Sequence, residues 1–252
     1  MELNYPQKNN GMYMLRRTDI EQIAYDKLKE YVPQNLERPI PLNTRDFLTD
    51  KLGLVVKDKY IMGFDSGILG LTVMGDNAEI ISFDEHFQQI VLEEYYGTVL
   101  ISPSLVGRDK LPRRRYTEAH EGSHYILHGP YFDKLSETNA CRKENNFKYV
   151  ACRKIEICNE KPKTDADWME WQADSLAAAL LMPKDVFTSF VKTQLRYYGI
   201  NGGFITTEKS QTNSRIKYEI IEEVAEKFAV SKTAAEIRMK HLNLLRECSY
   251  RY

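Results

Sequence analysis

The chain has 252 residues, 42% of them hydrophobic, with 35 basic and 36 acidic side chains and a formal net charge of −1. That length allows one large domain or two small ones around a proper core, and the charge balance removes any global electrostatic case for nucleic acid or a membrane surface. No apolar run is long enough to span a bilayer, and the opening MELNYPQKNN lacks the basic and apolar regions of a secretory leader, so a cytoplasmic protein with no membrane partner is expected.

Ile20, Ile23, Ala24 and Leu28 recur at helical spacing between Asp19 and about Tyr31, and Pro33, Pro39 and Pro41 then break the chain into an irregular connection. Asn43 or Thr44 can cap a second helix that carries Phe47 and Leu48 and ends at Gly53, before an extended segment from Leu54 to Val56. The character then turns to strand. Ile68–Val73, Ala78–Phe83 and Thr98–Ser102 are rich in β-branched or aromatic residues and are separated by turn formers, with a short helix expected near Phe87 to Glu94. After Pro112 and the basic run Arg113 to Arg115 a helix is expected over 113–130, and another over 167–182, capped by Thr164 or Asp165 and stopped by Pro183. The remainder reads as helix, interrupted by a polar break between Gly199 and Ser214.

The run YTEAHEGSHYILH contains His120 and His124 in an H-E-x-x-H pattern. On a helix, two histidines four residues apart lie on one face about one turn apart, close enough for both rings to hold one metal, with Glu121 beside them to serve a water at that metal. A catalytic zinc needs a third protein ligand and an open fourth position. In WMEWQADSLAAALLMP, Glu170 and Asp174 are four residues apart on a stripe that becomes apolar through Ala177 and Leu181. Glu170 is the third-ligand candidate, and Asp174 can accept the free N–H of His120 or His124 and so fix its ring. The same spacing equally suits an ordinary helical carboxylate pair. His128 continues the histidine spacing, but three rings from one helix are poorly aimed at one ion, so a packing or supporting role is expected for it.

RRRYTEAHEGSHYILH at Arg113 to His128, EWQADSLAAALLMP at Glu170 to Pro183, and the terminal FAVSKTAAEIRMKHLNLL together resemble the ImmA/IrrE family of metallopeptidases, and the resemblance covers most of the chain. It implies His120, His124 and Glu170 as ligands of one catalytic zinc and Glu121 as the catalytic carboxylate. It also implies site-specific cleavage of a regulatory protein, commonly a helix-turn-helix transcriptional repressor, often in mobile elements or stress responses. Family members usually carry an aliphatic residue and then glycine in the middle of the histidine motif, where this chain has Gly122 and Ser123.

Tyr125, Tyr197 or an arginine are candidates to donate to the oxyanion of a cleaved peptide. Cys141, Cys152 and Cys158 match no metal ribbon and are expected to be reduced structural thiols. Arg113 to Arg115 suit a solvated surface or a helix approach better than a clamp for acidic substrate. At the C-terminus, Ile216, Ile220, Val224 and Phe228 form one stripe, Ser231 can cap the next helix, and Ile237, Leu242 and Leu245 continue its face. The alternative to a peptidase is a regulator that binds DNA or protein through this helix-turn-helix-like segment, with Lys232, Arg238 and Lys240 approaching phosphates. Nearby Glu222, Glu223, Glu226 and Glu236 weigh against it. The expected fold is α+β: a zincin-like domain over 1–200, with a small sheet ahead of the histidine helix, and a helical extension over 201–252.

Overall fold

The computed structural model describes residues 3–62, 67–84, 86–137, 148–153, 162–206 and 211–246. Its elements in chain order begin with helices α1 (Arg17–Tyr31), α2 (Gln34–Glu37) and α3 (Thr44–Asp46), the last continuing into a π-helical turn at Phe47–Lys51. Strands β1 (Val55–Lys57), β2 (Ile68–Val73), β3 (Ala78–Phe83), β4 (Gln89–Glu94) and β5 (Thr98–Ile101) follow, then helix α4 (Leu111–Glu137) and strand β6 (Tyr149–Arg153). The chain continues through α5 (Asp165–Leu181), α6 (Lys184–Tyr197), β7 (Ile205–Thr206), α7 (Gln211–Phe228), α8 (Lys232–His241) and β8 (Leu245–Arg246). The class is α+β.

Contacts divide the chain into two compact units, Met1–Ile20 with Asn43–Ala177, and Glu21–Leu42 with Ala178–Tyr252. This differs from the expected division at residue 200. The reason lies in α1, whose Glu21 accepts from Arg238 on α8 (Nη2 to Oε2 2.9 Å), so most of the N-terminal helix belongs with the C-terminal ones.

In the first unit, a four-stranded sheet has the order β1-β5-β2-β6, with β1 parallel to β5 and the other two pairings antiparallel. Side chains alternate across it. Leu71, Val73 and Leu100 enter a cluster with Met62, Ala78 and Ile80, whereas Val99 and Ile101 join Leu48, Leu54 and Leu105. Gly70 pairs with Ile101 and Thr72 with Val99, so these two residues of β2 share the second face, which receives α4.

The segment from Gln89 to Glu94 is a strand paired with β3, not a helix. Its exposure alternates along QIVLEE, and the preceding turn is tied by Asp84 Oδ1, which accepts from the backbone N–H of His86 and Gln88 at 2.9 Å each. Cross-strand pairing of Ile80 with Leu92 outweighs the weak helical preference of those six residues. Helix α4 also runs past its expected end, with Pro130 inside it. An internal proline costs about 3 kcal/mol in an isolated helix. Here Phe132, just beyond it, is buried with Met12, Met74 and Met169, and that packing carries the helix onward.

The caps follow the sequence closely. Asn43 accepts from Asp46 N at 3.4 Å, Thr164 Oγ1 from Asp167 N at 3.1 Å, and Ser231 Oγ from Ala234 N at 3.1 Å. Strand β6 had no counterpart among the expected elements.

In the second unit, Phe187, Val191, Leu195, Ile220, Val224, Phe228 and Met239 are buried, and the rings of Phe187 and Phe228 pack at 5.3 Å. Helix α8 ends at His241, and Leu245 pairs with Ile205 in a two-residue parallel ladder instead of extending the helix. Of the cations expected to face phosphates, Lys232 pairs with Glu222 (2.6 Å), Lys240 with Glu236 (3.5 Å) and buried Arg238 with Glu21.

Candidate metal centre

Helix α4 sets His120, His124 and His128 on one buried stripe, each with 0% exposure. Helix α5 presents Glu170 and Asp174 to it, and the apolar continuation of their stripe, Ala177 and Leu181, is buried as the sequence led us to expect. Tyr116 meets Asp174, His120 meets both carboxylates, and His124 meets Glu170. The Nε2 atoms of His120 and His124 are 2.9 Å apart, with Glu170 Oε2 3.3 Å from the first and Oε1 3.5 Å from the second. One ligand atom from each of His120, His124 and Glu170 falls within 4.8 Å of the others, and this is the only such group among the described residues.

Asp174 does not join that trio. Its Oδ1 lies 2.9 Å from His120 Nδ1, on the far side of the ring from Nε2. A carboxylate there accepts the Nδ1 proton and leaves the Nε2 lone pair directed at the trio, the arrangement by which outer carboxylates orient metal-binding histidines. The Tyr116 hydroxyl, 3.3 Å from the same Oδ1, steadies the carboxylate. Tyr116 was overlooked in the sequence, although it sits one helical step of four before His120.

The Glu121 carboxylate reaches β2. Thr72 Oγ1 donates to Glu121 Oε2 at 2.6 Å, while Oε1 is buried with no hydrogen-bond partner. The room for it comes from Gly70, where a Cβ would collide with Oε1 and with Cδ and Cγ at 2.8 Å. A glycine inside a strand signals close approach of another group, and the G-x-T pattern in ILGLTV was legible in that sense, though the sequence reading passed over it.

Burial pushes the Glu121 carboxyl up to about 8, against the pull of His120 and the Thr72 hydrogen bond. A carboxylate in so dry a place keeps its charge near neutral pH when a cation lies close by. Burial also drives His124 well below its ordinary range and His128 down to about 3, so both rings are neutral and able to offer lone pairs. The imidazoles of His120 and His124 and the carboxylate of Glu170 suit Zn2+, which takes nitrogen and oxygen donors in this number at catalytic sites.

The unusual centre of the histidine motif has a local cause. Leu48 packs so closely against Gly122 that a Cβ there would lie 2.5 Å from Leu48 Cδ2. Ser123 turns its hydroxyl back to the Ala119 carbonyl at 2.7 Å and so needs no other partner.

Among the remaining candidates, Tyr125 is half-buried against the Leu48 cluster, with its ring 5.5 Å from that of Tyr96. Tyr197 is 80% exposed on α6 in the second unit. Within the arginine run, Arg113 is exposed, whereas Arg114 pairs with Asp58 (2.7 Å) and Glu118 (3.2 Å) and Arg115 is buried in the approach to the histidine motif. Glu118 also accepts from Thr44 Oγ1 at 2.5 Å and from Arg45, which ties α3 to the start of α4. Cys152 is on β6, whereas Cys141 and Cys158 lie outside the described residues.

A family model described as the IrrE N-terminal-like domain of M78 peptidases matches residues 104–240, more than half of the chain. The match spans both helices that carry the centre. No curated protein matches the chain.

Proposed function

The chain belongs to the M78 peptidase family with its IrrE N-terminal-like domain, and from that membership we propose that it is a zinc-dependent endopeptidase with a zincin-like catalytic unit. The observation that carries this reading is the convergence of His120, His124 and Glu170, with Glu121 next to His120 on the same buried helix. In the proposed centre His120 and His124 ligate through Nε2 and Glu170 through its carboxylate. Zinc, when bound, supplies Lewis acidity towards water and towards the scissile carbonyl.

Glu121 takes the proton from the attacking water and returns it to the departing amine as the peptide bond breaks. Thr72 holds the carboxylate by Oε2, which leaves Oε1 as the atom that exchanges the proton. Asp174 keeps the His120 ring from turning, with Tyr116 behind it. The raised affinity of Glu121 for a proton suits a group that must accept one and then give it up.

The proposed substrate is a regulatory protein in the cytoplasm, with a helix-turn-helix transcriptional repressor, such as those of mobile elements, as the class that kinship suggests. No helix among the described residues is long and apolar enough to cross a membrane. The test is metal content and cleavage together. The unaltered chain should bind one zinc per molecule, His120→Ala and Glu170→Ala should lose most of it, and Glu121→Gln should keep zinc while losing cleavage by about 10²-fold or more. Equal, near-zero zinc in the unaltered chain and both ligand variants under metal-replete conditions would sink the proposal.

A further inference from the structure

We propose that His128 and Gln172 form a hydrogen-bond relay of fixed direction that holds His124 in the tautomer a metal ligand requires. This is a positioning role and rests on the zinc reading above. Direction begins at a backbone carbonyl. Gln172 Nε2 donates to the Tyr13 oxygen at 2.8 Å, and because a carbonyl can only accept, the amide nitrogen is committed there. Gln172 Oε1 is therefore the atom turned to His128, 3.2 Å from its Nε2.

An amide oxygen also only accepts, so the single proton of the neutral His128 ring sits on Nε2 and its Nδ1 carries a lone pair. That Nδ1 lies 2.9 Å from Nδ1 of His124. One proton must stand between them, and it comes from His124. The His124 Nε2 atom is thereby left with its lone pair facing His120 Nε2 and Glu170.

Reversal of the relay would have a direct cost. If His128 carried its proton on Nδ1 it would donate to His124, whose own proton would then occupy Nε2, the atom that must bind metal. All three side chains are at most 1% exposed, so protein groups set the direction of the relay. His120 receives the same service from Asp174, and the two outer contacts thus aim both lone pairs at one point.

The first measurement uses the unaltered full chain, metal-free and labelled with 15N, by long-range ring correlation spectra. We expect His124 protonated on Nδ1 and His128 on Nε2; a proton on Nε2 of His124 would overturn the relay. The second is zinc affinity by competition with a chromophoric chelator. His128→Leu should bind roughly tenfold more weakly or worse. His128→Gln, whose amide can accept from His124 and donate to Gln172, should stay close to the unaltered chain. Equal affinity in the two variants, whether both tight or both weak, also overturns the relay. Should His128→Leu fail to fold, the ring spectra of the unaltered chain still decide. An unaltered chain that takes up no zinc would instead overturn the zinc reading and, with it, the purpose assigned to the relay.

Discussion

Gly70 on β2 and Glu121 on α4 share one space: the carboxylate lies where a side chain at residue 70 would begin. In the proposed mechanism the strand thus positions the proton carrier as well as supporting the helix. Gly70→Ala is expected to leave the fold and zinc content intact, because the atoms displaced are the far end of a flexible side chain. Moving a reacting group by about 1 Å can cost on the order of 10² in rate. We therefore expect kcat/KM to fall by about that factor, and an unchanged kcat/KM in a zinc-loaded Gly70→Ala protein would show that Glu121 is not the proton carrier.

The legible parts of the centre were those set by spacing along one helix. Steps of four residues put His120 with His124, and Glu170 with Asp174, on common helix faces before anything is known of the fold, whereas the choice of Glu170 over an ordinary carboxylate pair rested on the family resemblance. Glu121's surroundings could not be read that way, since Gly70 and Thr72 reach it across the sheet and only pairing determines which face of β2 they occupy. Gln172 was missed for a similar reason: its neighbours, Tyr13 and His128, are distant in sequence. The strand at Gln89–Glu94 was misread because six residues of mixed polarity carry too little period to outweigh long-range pairing.

The single hydroxyl proton of Thr72 faces two acceptors of Glu121, Oε2 at 2.6 Å and the main-chain oxygen at 3.1 Å. Thr72→Val keeps the shape and removes that donor. A buried acceptor left without its partner costs about 1–3 kcal/mol, which corresponds to roughly a tenfold loss or more where the carboxylate does its work. Thr72→Ser should restore activity. If the valine and serine variants cleave a peptide substrate at the same rate, the hydroxyl has no part in placing Glu121.

Asp174 touches His120 and not the trio of ligand atoms. Asp174→Asn should therefore weaken zinc binding by about 10–100-fold without abolishing it, whereas His120→Ala should abolish it. Titration with a competing chelator separates these outcomes. Stoichiometric loss of zinc in Asp174→Asn, equal to that in His120→Ala, would make Asp174 a ligand in its own right.

The contact of Leu48 with Gly122 predicts a steric dependence at the motif's centre. Gly122→Leu restores the aliphatic residue usual in the family yet overfills this packing, at an expected cost of about 1–3 kcal/mol in unfolding free energy. Combination with Leu48→Ala should recover part of that loss, because the two changes share one volume and are not additive. Denaturant melts of the two single variants and the double variant measure the coupling. Strict additivity would mean that the contact does not explain why glycine stands here.

Arg238 separates the structural from the DNA-binding account of the C-terminal helices. Its guanidinium is 3% exposed and donates to Glu21 and to the Met182 carbonyl, all within the second unit. Removing one partner of a buried pair leaves the other charge uncompensated, and Arg238→Ala is expected to destabilise the protein by about 3–5 kcal/mol. Lys232 and Glu222 are each 63% exposed, so Lys232→Ala should change stability by less than about 1 kcal/mol. A basic face that reads phosphates would behave in the opposite way. Both variants would then fold normally and lose salt-dependent DNA affinity together, as measured by titration at two ionic strengths.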